Sequence, residues 1–160
     1  MIGDYMQDLI KVLEQEIDLC EQLYNVLERE KQSVVSHDLD MFTEVGKEKD
    51  NLFALLAEAE NIRLNTVKQA ESVPEGSLSV SKDIHKIFTE IEDRKKRLSE
   101  IVTRVREMSN NNLILINNAL SLVKESIAFL KDVVSDESIY QATGDSKKSV
   151  PVGKFLSKDI

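Results

Sequence analysis

The chain reads as an all-α protein, an antiparallel hairpin of two long helices packed on a longer third helix, with a flexible C-terminal tail. Three observations predict this. Five Gly and two Pro in 160 residues are too few for the tight turns of a β-sandwich or barrel. Apolar residues recur at three- and four-residue spacing over three long tracts. Charged residues make up 31% of the chain beside 41% apolar, enough of each to fold and to coat an elongated surface. The length suits one domain with a tail.

The first tract predicts a helix over about 4–35. Met6, Leu13, Cys20, Leu27 and Val34 recur every seven residues, and Ile10, Ile17 and Tyr24 sit four after the first three, which draws one continuous stripe. Ser36-His37-Asp38 then reads as a turn, because Ser and Asp accept hydrogen bonds from the free N–H groups of a following helix. The second helix is expected over 38–71, with the stripe Leu39, Phe42, Val45, Leu52, Leu56, Ala59, Ile62 and Val67, and with Lys49 as its one polar intruder. A loop follows, from Ser72 through Pro74 and Gly76 to Ser81.

The third helix is expected over 83–135. Ile84, Ile87, Ile91, Leu98, Ile101, Val105 and Met108 repeat the stripe, while the Glu92-Asp93-Arg94-Lys95-Lys96-Arg97 run carries no apolar residue and predicts a locally loosened stretch. From Met108 to the next apolar position, Leu113, the step is five residues rather than four. Such a slip across Ser109-Asn110-Asn111-Asn112 is compatible with a bend, a short break or a smooth drift of the stripe.

Beyond the slip, Leu113, Ile116, Leu120, Val123, Ile127, Leu130 and Val134 keep strict spacing. A second row of Leu115, Leu122 and Phe129 runs beside them, with Ala119 and Val133 between the rows. The remaining polar strip, Asn117, Asn118, Lys124, Glu125, Lys131 and Asp132, is narrow, whereas a surface helix needs an apolar arc of only ~100°. Length adds to this: residues 83–134 span ~78 Å as one helix and residues 4–35 only ~48 Å, so the hairpin cannot cover the third helix throughout. The uncovered, widely apolar end is the candidate partner site. After about Asp136 the pattern dissolves, and Thr143-Gly144-Asp145-Ser146-Lys147-Lys148-Ser149 begins a tail with no apolar period to bury.

Charge is segregated. Residues 1–60 hold 15 acidic and 5 basic residues, while 91–106 hold three acidic and six basic. A basic flank lying against an acidic hairpin is the simpler use; an RNA or membrane patch is the sharper one. The net charge of -8 and the absence of Trp argue against generic nucleic-acid binding and stacked-base recognition. Met1 leads into Gly3, Asp4 and Tyr5 without a basic and apolar leader, and no unbroken apolar run exceeds the six residues Leu52 to Ala57, so a cytoplasmic location without membrane insertion is expected.

Catalytic and metal chemistry find no pattern. A di-iron bundle needs Glu-x-x-His pairs, but Val34 precedes His37 and Lys82 precedes His85 at that spacing. Neither histidine has the Lys-Gly neighbours of a phosphotransfer bundle. Cys20 sits on the apolar stripe without a basic residue within one turn, as a core thiol does. Gly144 to Lys148 lacks the second Gly and the Gly-Lys-Ser/Thr step of a phosphate loop. No enzyme activity and no cofactor are expected.

The order of features resembles the FlgN family of bacterial flagellar export chaperones over roughly residues 6–144. The resemblance is carried by Leu23 to Lys31, the Asp40 to Leu56 block with Lys47 and Lys49, Glu58 to Arg63, the Asn111-Asn112-Leu113-Ile114 start of the terminal segment, and the Tyr140-x-x-x-Gly144 ending. It implies a cytoplasmic chaperone that holds hook-filament junction proteins and delivers them to the type III export gate. The client site it implies is the amphipathic segment 113–135, through Leu113, Ile116, Leu120, Leu122, Val123, Ile127, Phe129, Leu130 and Val134. Tyr140 is implied as the gate-docking residue. The chain then divides into a helical chaperone domain, 1–138, and a flexible tail, 139–160. Two rivals remain: a structural or signalling coiled-coil protein that pairs the same apolar stripe with itself as a homo-oligomer, and a small helical enzyme or regulator whose site follows none of the motifs above.

Overall fold

A computed structural model describes residues 2–72 and 82–143, with side chains described for 4–70, 72 and 84–134. The chain is all-α: α1 spans Ile2–Ser36, α2 Leu39–Glu71 and α3 Lys82–Thr143, and no strand occurs among the described residues. The expected loop over 73–81 and the tail from Gly144 lie outside the described residues.

The α1–α2 turn is built by its own residues. The Asp38 N–H donates to Ser33 O at 2.9 Å and the His37 N–H to Val34 O at 3.3 Å, the paired bonds that close a helix C-terminus when the next residue turns left-handed. His37 is that residue, at φ 57°. Asp38 then caps α2, its Oδ1 accepting from the Met41 N–H at 2.9 Å.

Helices α1 and α2 run antiparallel, since Glu30 pairs with Lys49 and Glu16 with Arg63. The seam between them buries Leu19, Leu23, Val26, Leu27, Val45, Leu52 and Ala59, with Val105 and Met108 of α3 packed against it. A second cluster, Met6, Ile10, Leu13 and Ile91, joins the start of α1 to α3. Contacts between α1 and α3 rise together in sequence, from Ile10 with Ile91 to Glu30 with Asn112, so these two helices are parallel.

Because α1 serves two neighbours, its buried arc is wider than the heptad stripe: Val12, Leu19, Leu23 and Val26 are buried as well. Tyr24 is half-buried, and the Arg104 guanidinium lies 4.5 Å over its ring. Cys20 is buried as expected, and desolvation, with the Glu16 carboxylate nearby, pushes its thiol up to about 11.

Several expectations are corrected. On α2 the seam passes through Val45, Lys49, Leu52, Leu56, Ala59, Arg63 and Thr66, leaving Leu39 and Ile62 exposed. Lys49 and Arg63 hold inward positions because buried carboxylates meet them there. Lys49 Nζ donates to Glu30 Oε1, and Arg63 Nε reaches both oxygens of Glu16 at 3.0 and 2.9 Å. The 92–97 run is not loosened. Helix α3 is continuous through it, with Arg94 on Glu14 at 2.6 Å and Arg97 on Glu21 at 2.7 Å, long side chains bridging to the acidic face of α1. The hydrogen bond to Glu21 raises the Arg97 pKa further.

Nor does α3 break at the slip. Met108 is followed four residues later by Asn112, which is buried in place of Leu113. An amide can sit there because its Nδ2–H group donates to Leu27 O at 2.7 Å and to Glu30 Oε2 at 2.9 Å. The helix also runs on to Thr143, past the expected end near 135. Between Gly76 and Gly144 the chain holds neither Gly nor Pro to stop it.

Candidate functional site

Two compact units divide the chain, Met1–Ala119 and Leu120–Ile160, and α3 contributes to both. In the first unit the register that puts Asn112 beside Glu30 limits how far α1 can shield α3. Helix α1 ends at Ser36, six residues after Glu30, so at equal rise per residue it flanks α3 only to about residue 118.

Within that unit Leu113 and Ile114 are exposed, while Leu115, Ile116 and Ala119 are half-buried. In the second unit every described side chain, 120–134, is exposed. Leu120, Leu122, Val123, Ile127, Phe129, Leu130 and Val134 have between 47% and 64% of their surface open. Ten of the seventeen large apolar residues exposed among the described side chains fall between 113 and 134, so apolar exposure is concentrated on this part of one helix. The polar positions among them, Asn117, Asn118, Lys124, Glu125 and Asp132, are exposed too.

Of the expected client residues, only Ile116 is partly covered. Two exposed apolar residues outside that set belong with them, Ile114 and Val133. Ile114 was legible as part of the Leu113–Ile116 run, and Val133 as the residue bridging the two rows. Tyr140 lies in the last turn of α3 rather than after it, on helical backbone; its side chain is outside the described residues.

Such a surface does chemistry only by desolvation. A Leu, Ile or Val side chain that becomes fully buried against a partner contributes ~1.5–3 kcal/mol. Repeated three- and four-residue spacing along a helix suits a partner that offers an apolar row of its own.

A groove of about 720 Å³ in the first unit, lined by Met6, Leu9, Val67, Phe88, Ile91 and Leu98 among others, is mainly apolar. Its charged side chains are engaged, Arg63 with Glu16 and Lys95 with Glu92. Among the described residues no three His, Cys, Asp or Glu side chains converge as metal ligands would.

One helix stretch, within Ile84–Val134, is long and apolar enough to cross a membrane by length and composition. The exposed 113–134 part also carries Lys124, Glu125 and Lys131, and a charged residue at the centre of a bilayer costs ~2.5–3.5 kcal/mol.

Comparison with curated proteins and with solved structures returns no significant match. The family described as FlgN protein matches residues 1–148, which takes in α1, α2 and the whole of α3. An all-α chain with an exposed apolar row on its last helix, matched over nearly its full length, belongs to the FlgN family of flagellar export chaperones.

Proposed function

We propose that this chain is a cytoplasmic chaperone that holds hook-filament junction proteins on the exposed apolar face of α3, residues 113–134, and hands them to the type III export gate through Tyr140. The observation that carries the reading is the contrast between two helices of similar composition. The apolar stripe of α1 is buried between two neighbours, whereas that of α3 from Leu120 to Val134 is open to solvent. A helix segment whose apolar side chains stay largely open to solvent is equipped to cover an amphipathic segment of a client before secretion.

The test places two charges in the middle of that face. Val123→Asp with Ile127→Asp alters two exposed residues, so helix content and melting temperature should stay as they are. Capture of junction proteins should fall at least ~100-fold, because desolvating unpaired carboxylates in an interface costs several kcal/mol. Unchanged capture by a folded variant removes this face from client binding. If the unaltered chain instead sediments as an obligate oligomer that the two charges dissociate, the face pairs with a second copy and the coiled-coil reading wins. Tyr140→Ala separates delivery from holding: client affinity should persist and gate affinity should drop. Equal losses of both would make Tyr140 a support for the helix end.

A further inference from the structure

Asn112 is an expensive residue to bury. It is 1% exposed, and while its amide nitrogen donates to Leu27 O and Glu30 Oε2, its Oδ1 has no hydrogen-bond partner among the described residues. Glu30, itself 3% exposed, accepts from Lys49 through its other oxygen. One carboxylate thus ties α1, α2 and α3 together at a single point. An aliphatic side chain at 112 would fill the same place without an orphaned oxygen, so packing alone does not account for the asparagine.

The sequence shows what it decides. The strict row Leu113, Ile116, Leu120 runs one residue out of phase with Ile101, Val105 and Met108. A helix that takes up one extra residue after Met108, as a π-bulge does, would turn Leu113 and Ile116 toward the hairpin. An unbroken α-helix puts position 112 there instead and leaves Leu113 outside, which is the observed arrangement. Apolar burial favours the first solution; the second keeps the regular i→i−4 ladder and adds the side-chain bonds from Asn112 to Glu30 and Leu27.

We propose that Asn112, through Glu30 and Lys49, is the positioning residue that keeps α3 in the unbroken phase and so prevents the hairpin from covering the start of the chain's own binding row. That the row takes a client rests on the function proposed above; the choice of phase does not.

The test reads the phase directly in the full-length chain, by maleimide labelling of single cysteines at Asn117→Cys or Ala119→Cys. Both replace small or polar residues and leave Leu113 and Ile116 in place, and the buried Cys20 gives a slow background. With Asn112 present, the exposed position 117 should label faster than the half-buried 119. Asn112→Ala should reverse the order, with 117 slowing and 119 quickening by about tenfold each, as expected for a change of packing face rather than general opening. Glu30→Met strips the amide of its side-chain acceptor from the opposite helix and should produce the same reversal. An unchanged order in both variants, or a uniform rise at both positions, overturns the proposal. A reversal accompanied by undiminished capture of junction proteins would uphold the positioning role and count against the client reading of the row.

Discussion

His37 shows how much one residue can carry. Its φ of 57° places a non-glycine side chain in the left-handed region, where Cβ crowding costs roughly 1–2 kcal/mol. The two hydrogen bonds that close α1 depend on that conformation, so the turn holds the residue there against its preference. His37→Gly should remove the crowding while losing part of the gain to chain entropy, for a net stabilisation of about 1 kcal/mol. A urea titration followed by circular dichroism checks it, and a loss of stability would mean that the imidazole makes a contact that outweighs the strain. The turn itself was legible in Ser36-His37-Asp38. The left-handed residue within it was not, because His carries no glycine-like signal.

At the scale of helices, the α1–α2 seam is held by buried ion pairs as well as by apolar side chains, and the two members of a pair are not equivalent. Glu16 is nearly enclosed, whereas Arg63 keeps 29% of its side chain open and lies 3.7 Å from Glu60 as a second partner. Removing the arginine strands a buried carboxylate, and Arg63→Met should destabilise the chain by about 3 kcal/mol. Removing the acid frees an arginine that can turn to water and Glu60, so Glu16→Met should cost ~1 kcal/mol or less. Comparable losses from both would show that the pair acts through direct attraction rather than through desolvation. The seam was readable in outline from three- and four-residue spacing. The place of Lys49 in it was legible, but Arg63, and Asn112 on α3, were hidden, because a polar residue at an apolar position looks like an interruption until its partner on another helix is known.

At the scale of the molecule, among the described residues, both core clusters and the ion pairs that Lys49, Arg63, Arg94 and Arg97 make with α1 fall within 1–119, and the apolar residues beyond it are exposed. A chain ending at Ala119 should therefore unfold cooperatively, with a melting temperature within about 4 °C of the full chain, and should fail to capture clients. Thermal circular dichroism together with pull-down of the junction proteins checks both halves. A non-cooperative melt would mean that folding needs the terminal segment, and retained capture would move the client site into the first unit.

Periodicity, the scarcity of Gly and Pro, and the count of apolar rows were sufficient to specify three helices, their limits apart from the far end of α3, the hairpin turn and the segment left exposed. These are properties of single helices and of lengths, and both are written along the chain. Tertiary structure alone decided which residue of α3 faces the hairpin. Local spacing left Asn112 and Leu113 as competitors for one place, and the outcome depends on a carboxylate 82 residues away on another helix. The same limit applies to Arg94 and Arg97: their charge was visible, but whether it served the fold or a partner depended on Glu14 and Glu21 lying opposite them. Helix formation is governed by neighbours three and four residues apart, whereas the burial of a polar group is governed by whatever the fold brings to it.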